Sequence, residues 1–306
     1  MAITTTPAPP PVAVPVRRRR RWSGKRVDSG PVGRSPIATG VFNAIGIAVA
    51  VVMAFPVYWM VNTAFKPANE VQTFDPVFVP SSLTWGNFTS ALNAPHFLGN
   101  LRVSLIVTTG AVIFGLLVGF LGALAVARFR FYGRRPLILV ILLVQMVPFL
   151  ALLIPLFLTL NRFQLTNSLP GVIITYMVLI LPYTVWMLRG FIVNVPRELD
   201  EAALVDGCSR WQTFYKIILP LVGPGLVAAS IYGFIQTWNE FIIINTLNEA
   251  ENWNLMAWLA SNQTRRGTAW GPLMAGATMT SLPVVIFFLI IQKNVATGLT
   301  AGAVKG

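Results

Sequence analysis

The sequence is short of the residues that soluble catalysts depend on. Among its 306 residues there is one cysteine, Cys208, and one histidine, His96. A lone cysteine cannot close a disulfide within the chain, and with a single histidine it cannot assemble a zinc site, so both scaffolds are excluded. Cys208 reads as a small packing residue, because no activating group for a thiolate nucleophile accompanies it. Charge is scarce too. Only 11% of residues are charged, against about 25% in a soluble chain, and only 10 are acidic. No G-x-x-x-x-G-K-[ST] segment occurs, so the chain has no phosphate loop with which to bind and hydrolyse ATP.

What fills the sequence instead is apolar: 55% of residues are hydrophobic, and the mean hydropathy is +0.68. Six apolar segments run at about 41–61, 101–127, 137–160, 172–188, 217–244 and 273–291. A helix of about 20 residues crosses the roughly 30 Å hydrocarbon core of a bilayer. The expected fold is an all-α membrane protein of six transmembrane helices, with both termini on one side.

The net charge of +13 would point to nucleic acid if it covered a soluble surface. It is concentrated instead: Arg17 to Arg21, Lys25, Arg26 and Arg34 all precede the first apolar run. Such a cluster reads as a cytoplasmic anchor to anionic membrane lipid, with no nucleic-acid partner. Placing both termini in the cytoplasm leaves only Lys66, Arg102, Arg162, Arg265 and Arg266 outside, the asymmetry that orients multi-pass proteins. Residues 1–36 are expected to be a disordered basic tail and 37–306 the membrane domain. A secretory signal peptide fits poorly, because a polar stretch separates the arginines from the apolar run and no small-residue cleavage site follows it.

Pro56, Pro148, Pro155, Pro182, Pro220, Pro224 and Pro283 lie in or beside the spans, where each removes a helical hydrogen bond and is expected to kink its helix. Gly115 and Gly119 give the second span a small-residue face for close helix contact. The outer segment 63–100, with Pro76, Pro80, Trp85 and Phe88, is expected to form an ordered cap.

The loop 191–216 between the fourth and fifth spans differs from the others. Glu198, Asp200, Glu201 and Asp206 are drawn from the chain's 10 acidic residues. Pro196 suits a helix start, acids follow at its positive end, and Gly207 can close it in a left-handed cap. The pattern predicts a helix over 197–206, with Leu199, Ala202 and Ala203 on one face. A second helix is predicted from Ser209 through Trp211, Phe214 and Tyr215 into the fifth span. A helix resting on lipid headgroups should be basic on its polar face; an acidic one with small residues suits a groove in a protein.

Here the chain resembles the permease subunits of bacterial ABC importers. Their signature of Glu-Ala-Ala, three residues, Gly, nine residues and Ile-x-Leu-Pro reads here as Glu201-Ala202-Ala203, Gly207 and Ile217-Ile218-Leu219-Pro220. The resemblance implies that the loop is a coupling helix seated in a cytoplasmic ATPase, with Glu201, Ala202, Ala203, Asp206 and Gly207 at the contact. ATP and Mg would then be bound by that partner, with no cofactor in this chain and no enzymatic activity of its own.

MVNTAFKP, the Ala127-Arg128 pair, NSLPGVIITYMVLILPYTVWMLRGF, TWNEF and the C-terminal GLTAGAVKG are similar to the carbohydrate-uptake branch, specifically to the shorter permease of maltose-type importers. That resemblance implies a multi-pass protein of the bacterial inner membrane. It further implies a heterodimer with a second permease, two ATPase subunits and an extracytoplasmic solute-binding lipoprotein.

Gln236, Trp238, Asn239, Glu240 and Asn245 place amide, indole and carboxylate groups in an apolar span. Such groups either face a path for a sugar or bond to neighbouring helices or the partner permease. Three rivals stand beside the sugar reading. An ABC permease for another solute shares every feature except the branch-specific stretches. An ion-driven transporter would need more intramembrane carboxylate than Glu240. A membrane enzyme such as a glycosyltransferase would need its acids clustered at an interface.

Overall fold

A computed structural model describes residues 36–263 and 267–303, with side chains for 39–263 and 267–292. Residues 1–35 of the expected basic tail 1–36, the pair Arg265 and Arg266, and the side chains of the GLTAGAVKG stretch lie outside the described residues.

Among the described residues the elements are all helices, as the apolar runs predict. Before the first long pair come α1 (Pro36–Phe65), α2 (Ala68–Val71) and α3 (Gly86–Leu92). The bundle continues with α4 (Phe97–Arg128), α5 (Arg134–Met146), α6 (Phe149–Arg162) and α7 (Leu169–Asn194). Then follow α8 (Arg197–Val205), α9 (Arg210–Thr213), α10 (Leu219–Trp238), α11 (Ile242–Leu247), α12 (Leu255–Ser261) and α13 (Trp270–Ala303). Among the described residues five stretches are long and apolar enough to cross a membrane: Thr39–Phe65, Phe97–Arg128, Leu169–Asn194, Arg210–Trp238 and Trp270–Gln292. A sixth crossing exists only if α5 and α6 together make one span.

Contacts divide the chain into two units, Met1–Ala54 and Phe55–Gly306. In the first, residues 39–54 of α1 are exposed along the whole helix and nearly all apolar or small, a surface that needs lipid. The second unit holds the packed helices.

Two of the predicted spans end differently from the sequence reading. The third is not one continuous helix: α5 and α6 meet at a bend of 103°. Pro148 is the cause. It offers no backbone N–H to α5, and it holds the preceding Val147 in extended backbone (φ −75°, ψ 125°). The fifth span stops at Trp238 rather than running on to 244. The Glu240 carboxylate accepts the backbone N–H groups of Ile242 and Ile243, both at 3.0 Å, and so starts α11 as a separate helix.

The centre of the bundle is the pair α4 and α7. In lipid, helices gain little from hydrophobicity alone, and close packing becomes the main attraction. The small-residue face is present and longer than expected. A Cβ on Gly115 would lie 2.7 Å from Ile180 Cδ1, and one on Gly119 would lie 2.6 Å from Thr184 Cγ2. Gly110 extends the seam, facing Ile173 at 2.9 Å. Helix α10 packs on both, with Gly225 set against the ring of Phe191.

At the far end of the bundle from α8, the segment after α1 forms an ordered cap. The rings of Phe65, Trp85 and Phe88 lie within 4.8–5.4 Å of one another, centroid to centroid. Asn87 Nδ2 donates to the carbonyls of Ala64 and Lys66 at 3.0 and 2.8 Å. Lys66 itself is buried, with Nζ 4.2 Å from the centre of the Trp59 ring.

Candidate functional site

The acidic loop folds as its residues dictate. Helix α8 begins after Pro196, carries Glu198 and Asp200 in its first turn, and ends one residue earlier than predicted. Gly207 takes φ +82°, the left-handed conformation that costs other residues dearly, and the turn closes with Gly207 N–H on Leu204 O (3.1 Å) and Cys208 N–H on Ala203 O (2.9 Å). Ser209 then starts the next helix with a capping box. Its hydroxyl accepts from Gln212 N at 3.2 Å, and its N–H donates to Gln212 Oε1 at 2.7 Å. Helix α9 runs into α10 through a π-helical turn, Phe214–Ile218, in which Leu219 N–H reaches back to Phe214 O. Pro220, unable to donate, follows directly on this wide turn.

The rotation of α8 is set by one ion pair. Arg128, the last residue of α4, places Nε 3.2 Å from Asp200 Oδ2 and donates through Nη2 to Val195 O at 3.0 Å. Arg197 answers with Nη2 on Ala127 O at 3.4 Å. Asp200 and Ala203 therefore face the bundle, while Glu198, Glu201, Ala202, Val205, Asp206 and Gly207 are exposed. The face expected to unite Leu199, Ala202 and Ala203 is split, because Asp200 is drawn inward and carries only Ala203 with it. Of the five residues assigned to the ATPase contact, Glu201, Ala202, Asp206 and Gly207 lie on the free surface and Ala203 lies beneath it. Between α4, α8 and the π turn remains a cavity of about 300 Å³, lined in part by Arg128, Asp200, Leu204 and Phe214.

The second predicted group does not form one cluster. Gln236, Asn239 and Asn245 are exposed. Trp238 is 2% exposed and stacks on Phe234, which stacks in turn on Phe287. Glu240 uses its carboxylate to cap α11, as above. Its backbone carbonyl accepts from Tyr176 Oη at 3.3 Å and from Asn254 Nδ2, while Asn254 Oδ1 caps α12 by accepting from Ala257 N at 2.8 Å. Ser104 Oγ on α4 accepts from Leu255 N at 2.7 Å. These bonds fasten the segment after α10 to α4 and α7.

The structure adds residues that the sequence reading passed over. Tyr183 and Tyr232 stack with ring centroids 3.7 Å apart. Both line a cavity of about 220 Å³ at the α5–α6 bend, together with Gln145, Val147, Phe149 and Pro182. A hint was available: Tyr232 stands one helical turn before Gln236, and Tyr183 follows the span's own proline.

Comparison with known proteins agrees with this arrangement. Residues 111–300 match the family described as binding-protein-dependent transport system inner membrane component. The chain is 43% identical over 265 residues to the diacetylchitobiose uptake system permease protein DasC of Streptomyces coelicolor, covering 86% of this chain and 96% of that one. It is 33% identical over 281 residues to the arabinooligosaccharides transport system permease protein AraQ of Halalkalibacterium halodurans, covering 89% and 98%. Among solved structures, a chain of a bacterial ABC transporter involved in the import of the acidic polysaccharide alginate shares the fold. The TM-score is 0.72 at 21% identity, over 85% of this chain and 98% of that one. With its acidic helix keyed to the end of α4 and its helices packed for lipid, this chain belongs to the inner-membrane permease components of binding-protein-dependent transport systems.

Proposed function

We propose that this chain is a permease subunit of an ATP-driven importer for a short oligosaccharide, and that α8 is the element through which ATP hydrolysis in a partner subunit moves it. The observation that carries the reading is the orientation of α8: one acid is spent inward on Arg128, and Glu201, Ala202 and Val205 are left free on the outer face. An outward face of acids and small residues fits a cleft in a cytoplasmic ATPase. Both termini then lie in the cytoplasm. The assembly comprises a second permease, two ATPase subunits and an extracytoplasmic solute-binding protein.

The geometry supplies a route for the motion. Displacing α8 pulls on Arg128 and Arg197, hence on the end of α4. The glycine seam leaves α4 no slack against α7, so the two move as one body and carry the displacement into the membrane. Tyr183, Tyr232 and Gln145, at the bend of α5 and α6, offer aromatic faces and an amide, groups suited to stacking on pyranose rings and bonding their hydroxyls. The names of the relatives make diacetylchitobiose the first sugar to try. Against an ion-driven mechanism, the Glu240 carboxylate is engaged in capping α11.

The test is uptake by the whole transporter, reconstituted in vesicles with its second permease, ATPase and binding protein. Glu201→Arg and Gly207→Pro should each lower ATP-driven sugar uptake by more than about tenfold while the subunit still inserts and assembles. Normal uptake by Gly207→Pro would sink the coupling assignment.

A further inference from the structure

We propose that an arginine-lined cavity beside α8 is a binding site for a phosphate group, carried there by an anionic membrane lipid. The cavity, about 390 Å³, lies where α4 and α7 end and α5 and α8 begin. Arg128, Arg134, Arg189 and Arg197 line it, with Glu198 as the one carboxylate among its lining residues. Four guanidinium groups converging on one space repel one another unless an anion shares it, and planar guanidinium forks suit phosphate oxygens.

Two of the four are already engaged, Arg128 with Asp200 and Val195 and Arg197 with Ala127. The other two have no ion pair among the described residues. Arg189 Nε is buried and makes no hydrogen bond, and the Arg189 guanidinium carbon lies 5.2 Å from the centre of the Trp186 ring. An unpartnered buried donor in a cationic cavity marks a place for an acceptor.

The same chemistry could come from free phosphate or from a lipid headgroup, and the surroundings favour lipid. Trp186 and Val193 flank Arg189 on one face of α7 and are 40% and 53% exposed. On α5, Leu137 and Val140 follow Arg134 at helical spacing and are 42% and 53% exposed. Acyl chains can lie along this apolar surface while the phosphate sits among the arginines, the arrangement of basic pockets between spans at a charged leaflet. The proposal rests on the cytoplasmic placement of α8 only for the choice of leaflet. A phosphate held by Arg128 and Arg197 would also stiffen the joint that fixes α8, making coupling sensitive to lipid composition.

The experiment titrates the assembled transporter in detergent with phosphatidylglycerol and counts bound lipid by native mass spectrometry. Arg134→Gln with Arg189→Gln should weaken the tightest bound lipid by about fivefold for each arginine removed. The exposed pair Arg130→Gln with Arg135→Gln, outside the cavity lining, should leave it unchanged. A single size-exclusion peak and an unchanged melting temperature of the assembled transporter report folding of each variant. Arg134→Gln alone, at the start of α5, keeps the test decisive if the double variant fails to fold. Equal weakening by both pairs, or none by the cavity pair, overturns the site. Displacement of the lipid by inorganic phosphate at millimolar concentration would keep an anion site but overturn its assignment to lipid. Cytoplasmic placement is read separately, from labelling of Cys208.

Discussion

Arg128 stands at the joint between a membrane-spanning helix and the helix outside it, and its side chain is only 9% exposed. Removing its counter-charge with Asp200→Ala leaves a nearly buried guanidinium with one carbonyl partner. Breaking a buried pair costs about 3–5 kcal/mol, and the 23% exposure of Asp200 puts this one at the lower end. Thermal unfolding of the purified assembly should show the loss, and uptake should fall with it. Gly207→Ala should cost about 1–2 kcal/mol, because a Cβ is placed in left-handed backbone; Gly99→Ala, in open space on α4, should cause no loss in the same assay. The two sites differ in how far they were legible. The need for glycine at 207 is local, written in the capping pattern around it. The partner of Arg128 is distant in the chain, so the sequence showed that Asp200 was unusual without showing what it held. For the same reason the sequence left Glu240 open as a path residue or a structural one, and only the position of α11 assigns its carboxylate to a cap.

At the scale of elements, apolar runs located the helices and local chemistry moved two of their ends. Hydropathy averages over a window and is blind to a single proline, so 137–160 reads as one span although Pro148 breaks it. The helix pairing was legible only in part: two glycines four residues apart implied a close-packed face, but not that α7 was the helix it met. Gly119→Leu tests that face. Its side chain has no room against Thr184, so α4 and α7 must separate, at an expected cost of about 1–3 kcal/mol or loss of the folded subunit. Size-exclusion profiles after graded heating would measure it, and an unchanged profile would mean that the seam is not close-packed. Gly223→Ala, with nothing within 4 Å of the added Cβ, should not weaken the profile.

For the molecule as a whole, the solitary cysteine is a built-in reporter of sidedness. Cys208 is partly exposed, directly after α8. A membrane-impermeant maleimide should label it in inside-out vesicles and not in right-side-out ones; the reverse pattern would invert the proposed topology. Charge asymmetry is what proposes that orientation from the sequence, whereas the pattern did not single out Tyr183 and Tyr232, because their stacking joins two helices distant in the chain. The bend at Pro148 bears on how such an assembly would work. A strut snapped through 103° transmits no thrust along its length, so under the proposed coupling a force applied at α8 would travel by the unbroken neighbours, α4 and α7. The broken strut is thereby relieved of load. The tyrosine-lined cavity lies at its break.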